Sequence, residues 1–267
     1  MTTVQRSEPR PGVALLTLDR PERLNAMNHE LVADLHTRLD ELAGDRTVRV
    51  VVLTGAGRGF CSGLDLRGTG QLAGTEGLDR PQAGMATQQH IATLVPQLRS
   101  LRQPVIAAVN GPAAGGGLAL ALASDVRVAS SSARFNVAFI RIGLSGCDIG
   151  VSWLLPRLIG ASAAFELLLT GRLIDAEEAL RLHLVSRVVP DGEVVDAALD
   201  IAEEIAANSP MGVWMTKEVM WSQLEVGSLQ AGIDLENRTQ ILTSFTSDMG
   251  EAVAAFFEKR PPRYGPS

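Results

Sequence analysis

The amino-acid sequence predicts a mixed α/β fold. The apolar runs at residues 13–18, 48–54 and 105–109 have the length and the β-branched content of buried strands. Apolar residues at helical spacing occupy segments between these runs. Because strands that alternate with helices build sheets covered by helices, this order indicates an α/β core in a chain of 267 residues.

The first helix is predicted directly before the strand at residues 48–54. Asn28 is suited to the N-cap position, and Gly44 followed by Asp45 is suited to ending the helix. One apolar face would be formed by Leu31, Leu35, Leu39 and Leu42. This spacing predicts an amphipathic helix packed on the sheet.

Two later segments are predicted from composition and periodicity. Residues 68–84 are rich in Gly, Thr and Gln, which is typical of a surface loop and is compatible with a lid. A helix is predicted from residue 87 to residue 102, leading into the strand at 105–109. Another short strand is predicted at residues 125–130.

The second half of the chain has a helical pattern. Asp175 and Glu178 predict the start of one helix, and further helices are predicted at 199–207, 213–224 and 229–257. We therefore divide the chain into a strand-rich core at residues 1–190 and a helical region at residues 191–267. Helices without a sheet to cover often bury their apolar faces against another subunit, so this region predicts an oligomer.

Charge and composition exclude several classes of protein. The 24 Lys and Arg residues against 30 Asp and Glu residues give a net charge of −6, which argues against a general nucleic-acid-binding protein. Cys61 and Cys147 are the two cysteines, too few for a disulfide scaffold or a structural zinc site. The first twelve residues lack the apolar stretch of a signal peptide, so we expect a cytoplasmic protein.

An uncharged run at residues 103–124 is long enough to span a bilayer. Asn110, Pro112 and a glycine triplet at 115–117 interrupt it, however, and such breaks would leave amides unsatisfied in lipid. We expect a buried strand, a glycine loop and a buried helix, and no membrane association.

Two glycine-rich segments follow predicted strands. The first is RGFCSGLDL at residues 58–66, and the second is NGPAAGGGL at residues 110–118, which opens a helix. Each segment alone is equally typical of a tight turn. If the two segments faced one another, their free main-chain amides could form an oxyanion hole.

These segments, with several others, resemble the crotonase or enoyl-CoA hydratase/isomerase superfamily from end to end. The matching blocks include DRPERLNAM at residues 19–27, FCSGLDL at 60–66 and residues 104–130, and they continue through LLTGR at 168–172 to FEKRPP at 257–262. The resemblance implies an α/β spiral of ββα units, as in the ClpP-like folds, with a C-terminal helical trimerisation region. It also implies homotrimers or dimers of trimers and an acyl-CoA thioester substrate, with coenzyme A as part of that substrate and no further cofactor.

The resemblance also implies site residues. The amides of Leu64 and Gly116 would hold the thioester oxygen. Residues that resemble the coenzyme A cradle are Arg23, Leu24, Ala26, Cys61, Gly63, Asp65 and Leu66. Lys259 resembles a tail residue that reaches a coenzyme A phosphate. The alternative role for Lys259, and also for Arg23, is that of a solvent-exposed surface charge without a ligand. Asp65, like Asp125, is also suited to capping a loop.

The sequence departs from the hydratases of this family at both of their glutamates. Ala119 stands at one glutamate position and Phe139 at the other. Phe139 is predicted to contact the substrate. Neither side chain can move a proton. The two-glutamate hydration of a double bond is therefore not expected.

Asp148 is the remaining candidate for an acid/base group. It lies in a loop where related dienoyl-CoA isomerases and chlorobenzoyl-CoA dehalogenases carry a working aspartate, although an aspartate in this setting is also typical of a helix cap. The dehalogenase histidine would fall on Ala92, with His90 near it, which argues against dehalogenation. The four histidines form no recognisable metal or triad pattern, and Cys147 lacks a paired base.

We therefore predict an acyl-CoA enzyme that stabilises an enolate-like oxyanion, with Asp148 as acid/base. The alternatives are a non-catalytic acyl-CoA-binding protein and a dehalogenase-like or thioesterase-like hydrolysis of an acyl-CoA.

Overall fold

The computed structural model describes residues 2–68 and 72–265. The strands are β1 Val4–Arg10, β2 Val13–Leu18, β3 Val50–Gly55, β4 Val105–Val109, β5 Pro112–Ala114, β6 Val126–Ser130, β7 Arg134–Asn136, β8 Ile174–Asp175 and β9 Arg187–Val189. The helices are α1 His29–Gly44, α2 Arg80–Ala92, α3 Leu94–Ser100, α4 Gly116–Ala123, α5 Val151–Ile159, α6 Ala161–Thr170, α7 Ala176–Arg181, α8 Val194–Ala206, α9 Pro210–Gln223, α10 Leu229–Ser244 and α11 Ser247–Glu258. Two short 3₁₀ helices lie at Pro21–Arg23 and Ala138–Ile142.

A six-stranded sheet with the order β1-β2-β3-β4-β6-β9 forms the centre of the fold. Only β1 is antiparallel to its neighbour among these described strands, and the others run parallel. Every residue of β3 is buried, as its uninterrupted apolar sequence predicts. The edge strand β1 was not predicted, because its sequence VQRSEPR is mostly polar and half of it faces solvent.

Alternate residues of β3 face two different hydrophobic clusters. Val51 and Leu53 pack with the leucines of α1 and with residues of α3 and α4. Val50 and Val52 pack instead with Ala198 and other apolar residues of α8. Because side chains alternate along a strand, the sheet buries both faces under helices. A smaller sheet, with the order β5-β7-β8, lies beside the main one.

The uncharged run at residues 103–124 folds into β4, β5 and α4. Every residue of β4 and of α4 is buried, which agrees with the predicted strand, glycine loop and buried helix. None of the helices in the described part of the chain is long and apolar enough to cross a membrane.

The segment predicted as a loop from residue 68 to residue 84 becomes helical earlier than expected. Asp79 is the N-cap of α2, its side chain accepts a hydrogen bond from the amide of Gln82, and the Gln82 side chain bonds back to the Asp79 amide. This capping box starts the helix at Arg80. The single helix predicted at 87–102 is two helices, α2 and α3, which meet at Thr93. Part of the predicted loop, residues 69–71, lies outside the described residues.

The C-terminal region is helical, as predicted, with two differences. The helix α8 packs on the sheet, so the first part of the region at 191–267 shares the core of the first region. The division at residue 190 stays a prediction. The single helix expected at 229–257 is interrupted at Phe245 and Thr246, where α10 ends and α11 begins.

Candidate active site

A cavity of about 120 Å³ lies where the two glycine-rich segments meet. Gly63 and Leu64 of the first segment and Gly115 and Gly116 of the second line it. Asp148 also lines this cavity. Three parts of the chain that the sequence singled out are therefore brought to one cavity.

The first glycine turn is held by a short parallel bridge between Met27 and Leu64. The amide of Met27 donates to the carbonyl oxygen of Gly63 at 2.7 Å, and the amide of Asp65 donates to the carbonyl oxygen of Met27 at 2.9 Å. Gly63 has a φ of +95°, which a side chain rarely adopts. A Cβ atom at Gly63 would lie 2.9 Å from the carbonyl oxygen of Ala114. The turn therefore requires glycine for two independent reasons.

The second turn is pressed against the first. The amide of Ala114 donates to the carbonyl oxygen of Cys61 at 3.0 Å, and a Cβ atom at Gly117 would overlap that same oxygen. Gly116 packs against the methyl end of Met27. Glycine at both positions permits this close approach of two backbones.

The Leu64 and Gly116 amides are left without partners by these contacts. Within residues 2–68 and 72–265, no acceptor is found for either N–H group. The position of a Cβ atom on Gly63 is 3.5 Å from the nitrogen of Gly116, so the two turns are in van der Waals contact. Two free amides on one small cavity have the composition of an oxyanion hole.

Two asparagines that the sequence analysis missed, the buried Asn25 and the half-buried Asn110, hold the loop at residues 55–59 next to the first turn. Asn25 accepts from the amide of Arg20 at 2.9 Å and donates to the carbonyl oxygens of Ala56 and Gly59 at 3.0 and 2.8 Å. Asn110 donates to the carbonyl oxygen of Gly55 at 2.8 Å. Asn25 also has a φ of +57°, a conformation that asparagine tolerates better than most residues. Asn25 lies in the DRPERLNAM block and Asn110 opens the second glycine-rich segment. Their place in these segments is the sequence signal that could have pointed to them.

Asp148 lies directly before α5 but is not its N-cap, a position held by Gly150. The Asp148 carbonyl oxygen accepts from the amide of Val151 at 2.8 Å. Its side-chain Oδ1 accepts from the amide of Ile149 at 2.8 Å and from Nε2 of Gln88. Asp148 is the one carboxylate among the described residues that line the cavity.

The positions of the two missing glutamates are both apolar in the structure. Ala119 is fully buried within α4. Phe139 lines the cavity, where its ring lies against Gly115. Neither position therefore supplies a proton-transferring group to the cavity.

The residues predicted for the coenzyme A cradle are partly brought together. The amide of Ser62 donates to the carbonyl oxygen of Leu24 at 3.0 Å, which joins the segment of Arg23, Leu24 and Ala26 to the first glycine turn. Arg23 is exposed at the end of a 3₁₀ helix, and Leu24 has a φ of +50°. Lys259 is exposed at the end of α11 and is not among the residues lining the cavity.

Asp65 has a partner that sequence reasoning missed. Its Oδ2 forms an ion pair with Arg20 at 3.0 Å, and its Oδ1 accepts from the amide of Arg67 at 3.1 Å. The Arg20 hydrogen bond, followed by that of Arg67, lowers the pKa of Asp65 below its usual range. Arg20 also donates to the carbonyl oxygen of Ala26. The aspartate therefore fixes the cradle segment against the first turn, in addition to capping its own loop.

The cysteines differ in environment. Burial raises the pKa of Cys61 to about 12, so its thiol is neutral and packs in the core beside the first turn. Cys147 is an exposed free thiol.

The structure brings two histidines together that the sequence left apart. The rings of His36 and His90 are 4.9 Å apart, and His36 Nε2 lies 2.9 Å from the carbonyl oxygen of His90. Burial, and then the neighbouring His36 and His29, lower the pKa of His90. Across the described ranges, no group of three His, Cys, Asp or Glu side chains could hold a metal ion.

A larger cleft of about 850 Å³ is lined mainly by α9 and by the C-terminal part of α5. Lys217 forms an ion pair with Asp125 at 3.0 Å, while Trp221 Nε1 donates to the other oxygen of Asp125 at 2.7 Å. Asp125 also accepts from the amide of Val105, at the start of β4, so its partners are distant in sequence and not within its own loop. Burial lowers the pKa of Lys217. None of the predicted catalytic residues lines this cleft.

Comparison with known proteins identifies the family of this chain. A sequence model described as "Enoyl-CoA hydratase/isomerase" matches residues 8–266. The chain belongs to the enoyl-CoA hydratase/isomerase family. It is a hydratase/isomerase-like enzyme of the crotonase superfamily, with an acyl-CoA thioester as the substrate class of that family.

Relatives in this family carry two kinds of name. The chain is 49% identical over 255 residues to a probable enoyl-CoA hydratase of Mycobacterium tuberculosis strain H37Rv, covering 95% of this chain and 90% of that protein. It is 40% identical over 258 residues to the 1,2-epoxyphenylacetyl-CoA isomerase of Escherichia coli K12, covering 95% of each.

Solved structures of the family have the same mixed α/β crotonase fold. A probable enoyl-CoA hydratase/isomerase from Mycobacterium abscessus superposes with a TM-score of 0.92 at 43% identity, covering 98% of each chain. A monofunctional enoyl-CoA isomerase from Mycobacterium smegmatis superposes with a TM-score of 0.74 at 43% identity, covering 87% of this chain and 99% of that one.

Proposed function

We propose that this protein isomerises an acyl-CoA thioester by moving a proton to and from the carbon next to the thioester carbonyl. In this proposal the amides of Leu64 and Gly116 hold the carbonyl oxygen, and Asp148 moves the proton. The observation that carries the proposal is the position of Asp148, the one described carboxylate on the cavity that both glycine turns line.

The two amides make the proton transfer possible. As the Asp148 carboxylate takes a proton from the α-carbon, the C–H electron pair moves into the Cα–C bond and negative charge develops on the carbonyl oxygen. Two fixed N–H donors in a small cavity stabilise that charge, and losing one such donor typically costs about 3–4 kcal/mol. Asp148 then returns the proton to another carbon of the conjugated system, so the product is an isomer of the substrate.

The lack of a second proton-transferring side chain at the family's glutamate positions favours isomerisation over hydration. Hydration needs a second group to activate and orient water, and both family positions for such a group are apolar, at Ala119 and Phe139. A single carboxylate that accepts a proton from one carbon and donates a proton to another is sufficient for isomerisation. Two similar proteins are named as isomerases, from Escherichia coli and Mycobacterium smegmatis, although others are named as probable hydratases.

The rest of the assignment follows the family pattern. The coenzyme A part of the substrate would lie along Arg23, Leu24, Ala26 and the first glycine turn, with Lys259 reaching a phosphate. The acyl group would lie against the apolar wall near Phe139. The proposed enzyme is cytoplasmic and needs no metal or further cofactor.

The proposed assembly is a homotrimer or a dimer of trimers formed through the helical region at residues 191–267. Leu229, Phe245, Phe256 and Phe257 in this region are each more than three-quarters exposed. Burying such apolar side chains against another subunit would be favourable, at about 25 cal/mol per Å² removed from water.

The test is deuterium exchange at the α-carbon of a panel of saturated, enoyl and dienoyl CoA thioesters in heavy water, followed by mass spectrometry. We expect the wild type to exchange the α-proton and Asp148→Asn to exchange it at least about 100-fold more slowly. Thermal shifts by the same thioesters should be unchanged, because the amides remain. Cys147→Ser is the control for the neighbouring nucleophile and should behave as the wild type.

Three outcomes would favour an alternative. Unchanged exchange in Asp148→Asn would remove this residue from the mechanism. Binding of thioesters by the wild type without exchange or isomer formation would indicate a binding protein. Release of free coenzyme A thiol would indicate hydrolysis.

A further inference from the structure

Asp148 has a side-chain partner from a distant part of the chain. Gln88, on α2, donates from its Nε2 to Asp148 Oδ1, and the two residues are 60 positions apart in sequence. Both line the cavity of the glycine turns. No feature of the sequence had marked Gln88, since the histidine considered there was His90.

The hydrogen bonds fall unequally on the two carboxylate oxygens. Oδ1 of Asp148 accepts from Gln88 and from the amide of Ile149, at 2.8 Å in the second case. Over the residues that the structure describes, Oδ2 accepts none. Two donors on one oxygen fix the rotation of the carboxylate and leave the other oxygen available for a proton.

We infer that Gln88 is a positioning residue for Asp148, and this inference depends on the proposed role of Asp148 as acid/base. Gln88 holds Oδ1 so that Oδ2 is the atom that takes and returns the substrate proton. An amide suits this task because it is a neutral donor at every pH of interest.

The position of Gln88 depends on how α2 is anchored. Ile91 is the one residue of α2 that is buried, and it contributes to the wall of the cavity. His90 packs its ring on His36 of α1. These two residues, within three positions of Gln88, hold the C-terminal turn of α2 against the core and so direct the amide toward Asp148.

The test compares two substitutions of Gln88 by their effects on kcat and KM for α-proton exchange. Gln88→Leu keeps the bulk of the side chain and removes the donor, and we expect kcat to fall about 10-fold with KM within about 3-fold of the wild type. Gln88→Glu should lower kcat further, because a glutamate carboxylate cannot donate a hydrogen bond to Oδ1 and repels the Asp148 carboxylate.

Gln89→Leu is the matched control, since Gln89 is exposed on the same helix and its side chain has no hydrogen bond among the described residues. It should leave kcat and KM unchanged. Amide hydrogen exchange of α2 would show whether Gln88→Leu merely detaches this helix from the core. If the protection of the α2 amides fell, the positioning role would be rejected.

The outcomes separate this inference from the proposed function. If Asp148→Asn abolishes exchange but Gln88→Leu retains the wild-type kcat, the positioning role is wrong and the proposed function stands. If Asp148→Asn retains exchange, the proposed function fails first, whatever Gln88 does.

Discussion

The two walls of the cavity present different chemical groups, main-chain amides on one and side chains on the other. The glycine wall, residues 61–66 and 110–117, presents main-chain amides held by buried backbone contacts. The carboxylate wall, formed by α2 and residues 142–150, presents side chains from an exposed helix and a largely exposed loop. Several backbone hydrogen bonds hold the two turns of the glycine wall together. In the carboxylate wall, the hydrogen bond from Gln88 to Asp148 connects α2 to the loop at residues 142–150.

This difference explains how one family can hold enzymes with different names. An oxyanion hole made of amides stays the same whatever side chains surround it, provided that the glycines remain. A group that moves protons is a side chain, and one substitution can add or remove it, as at Ala119 and Phe139. We therefore expect the glycine wall to determine stability and thioester binding, and the carboxylate wall to determine the reaction.

The largest effect is expected from Gly117→Ala on the glycine wall. The added Cβ atom would overlap the main-chain carbonyl oxygen of Cys61, which cannot move without separating the two turns. We expect a loss of about 3 kcal/mol or more in the free energy of unfolding, measured by urea denaturation. Thioester binding should fall with it.

Gly44→Ala is the control for this substitution. Gly44 is exposed at the end of α1, and an added Cβ atom would meet nothing within 4 Å. Its stability should be equal to or slightly above that of the wild type. A Gly117→Ala protein within about 1 kcal/mol of the wild type would show that the two turns are not held rigidly together.

A smaller loss is expected from Asn25→Ala, which removes the support behind the glycine wall. The substitution leaves the buried carbonyl oxygens of Ala56 and Gly59 without their donor, at a cost of about 2–3 kcal/mol in urea denaturation. Asn25→Gly removes the same hydrogen bonds but adopts the φ of +57° without strain. If Asn25→Gly were as stable as the wild type, the backbone conformation and not the hydrogen bonds would account for the loss.

Local signals predicted most of the fold and the glycine wall. The Asn28 cap, confirmed by its hydrogen bond from the Leu31 amide, and the uninterrupted apolar sequence of β3 each act within a few residues. The glycine turns are equally local, because a positive φ or a close backbone approach requires glycine at that position. Such signals can be read from one sequence.

The contacts that the sequence did not predict join residues far apart in the chain. Gln88 and Asp148 are 60 positions apart, and Arg20 and Asp65 are 45 apart. His36 and His90 meet only because α1 and α2 pack on the same core. No periodicity or spacing records which polar side chains tertiary packing will bring together. From the sequence, Asp148 could therefore be predicted as the acid/base residue of the carboxylate wall, but its hydrogen-bond partner Gln88 could not.

The smallest effect is expected on the carboxylate wall, from Gly84→Ala in α2. Gly84 lies inside this helix, is exposed, and would place a Cβ atom in open space. Alanine stabilises an exposed helix interior by about 0.5–1 kcal/mol relative to glycine, so the amides of α2 should exchange hydrogen about 2- to 5-fold more slowly. Because Ile91 is the one buried residue of α2, we expect this helix to open locally, well below the free energy of global unfolding, and the urea midpoint to change little. If the amides of α2 in the wild type were already as protected as those of β3, the carboxylate wall would be as rigid as the glycine wall, and the contrast between the two would be wrong.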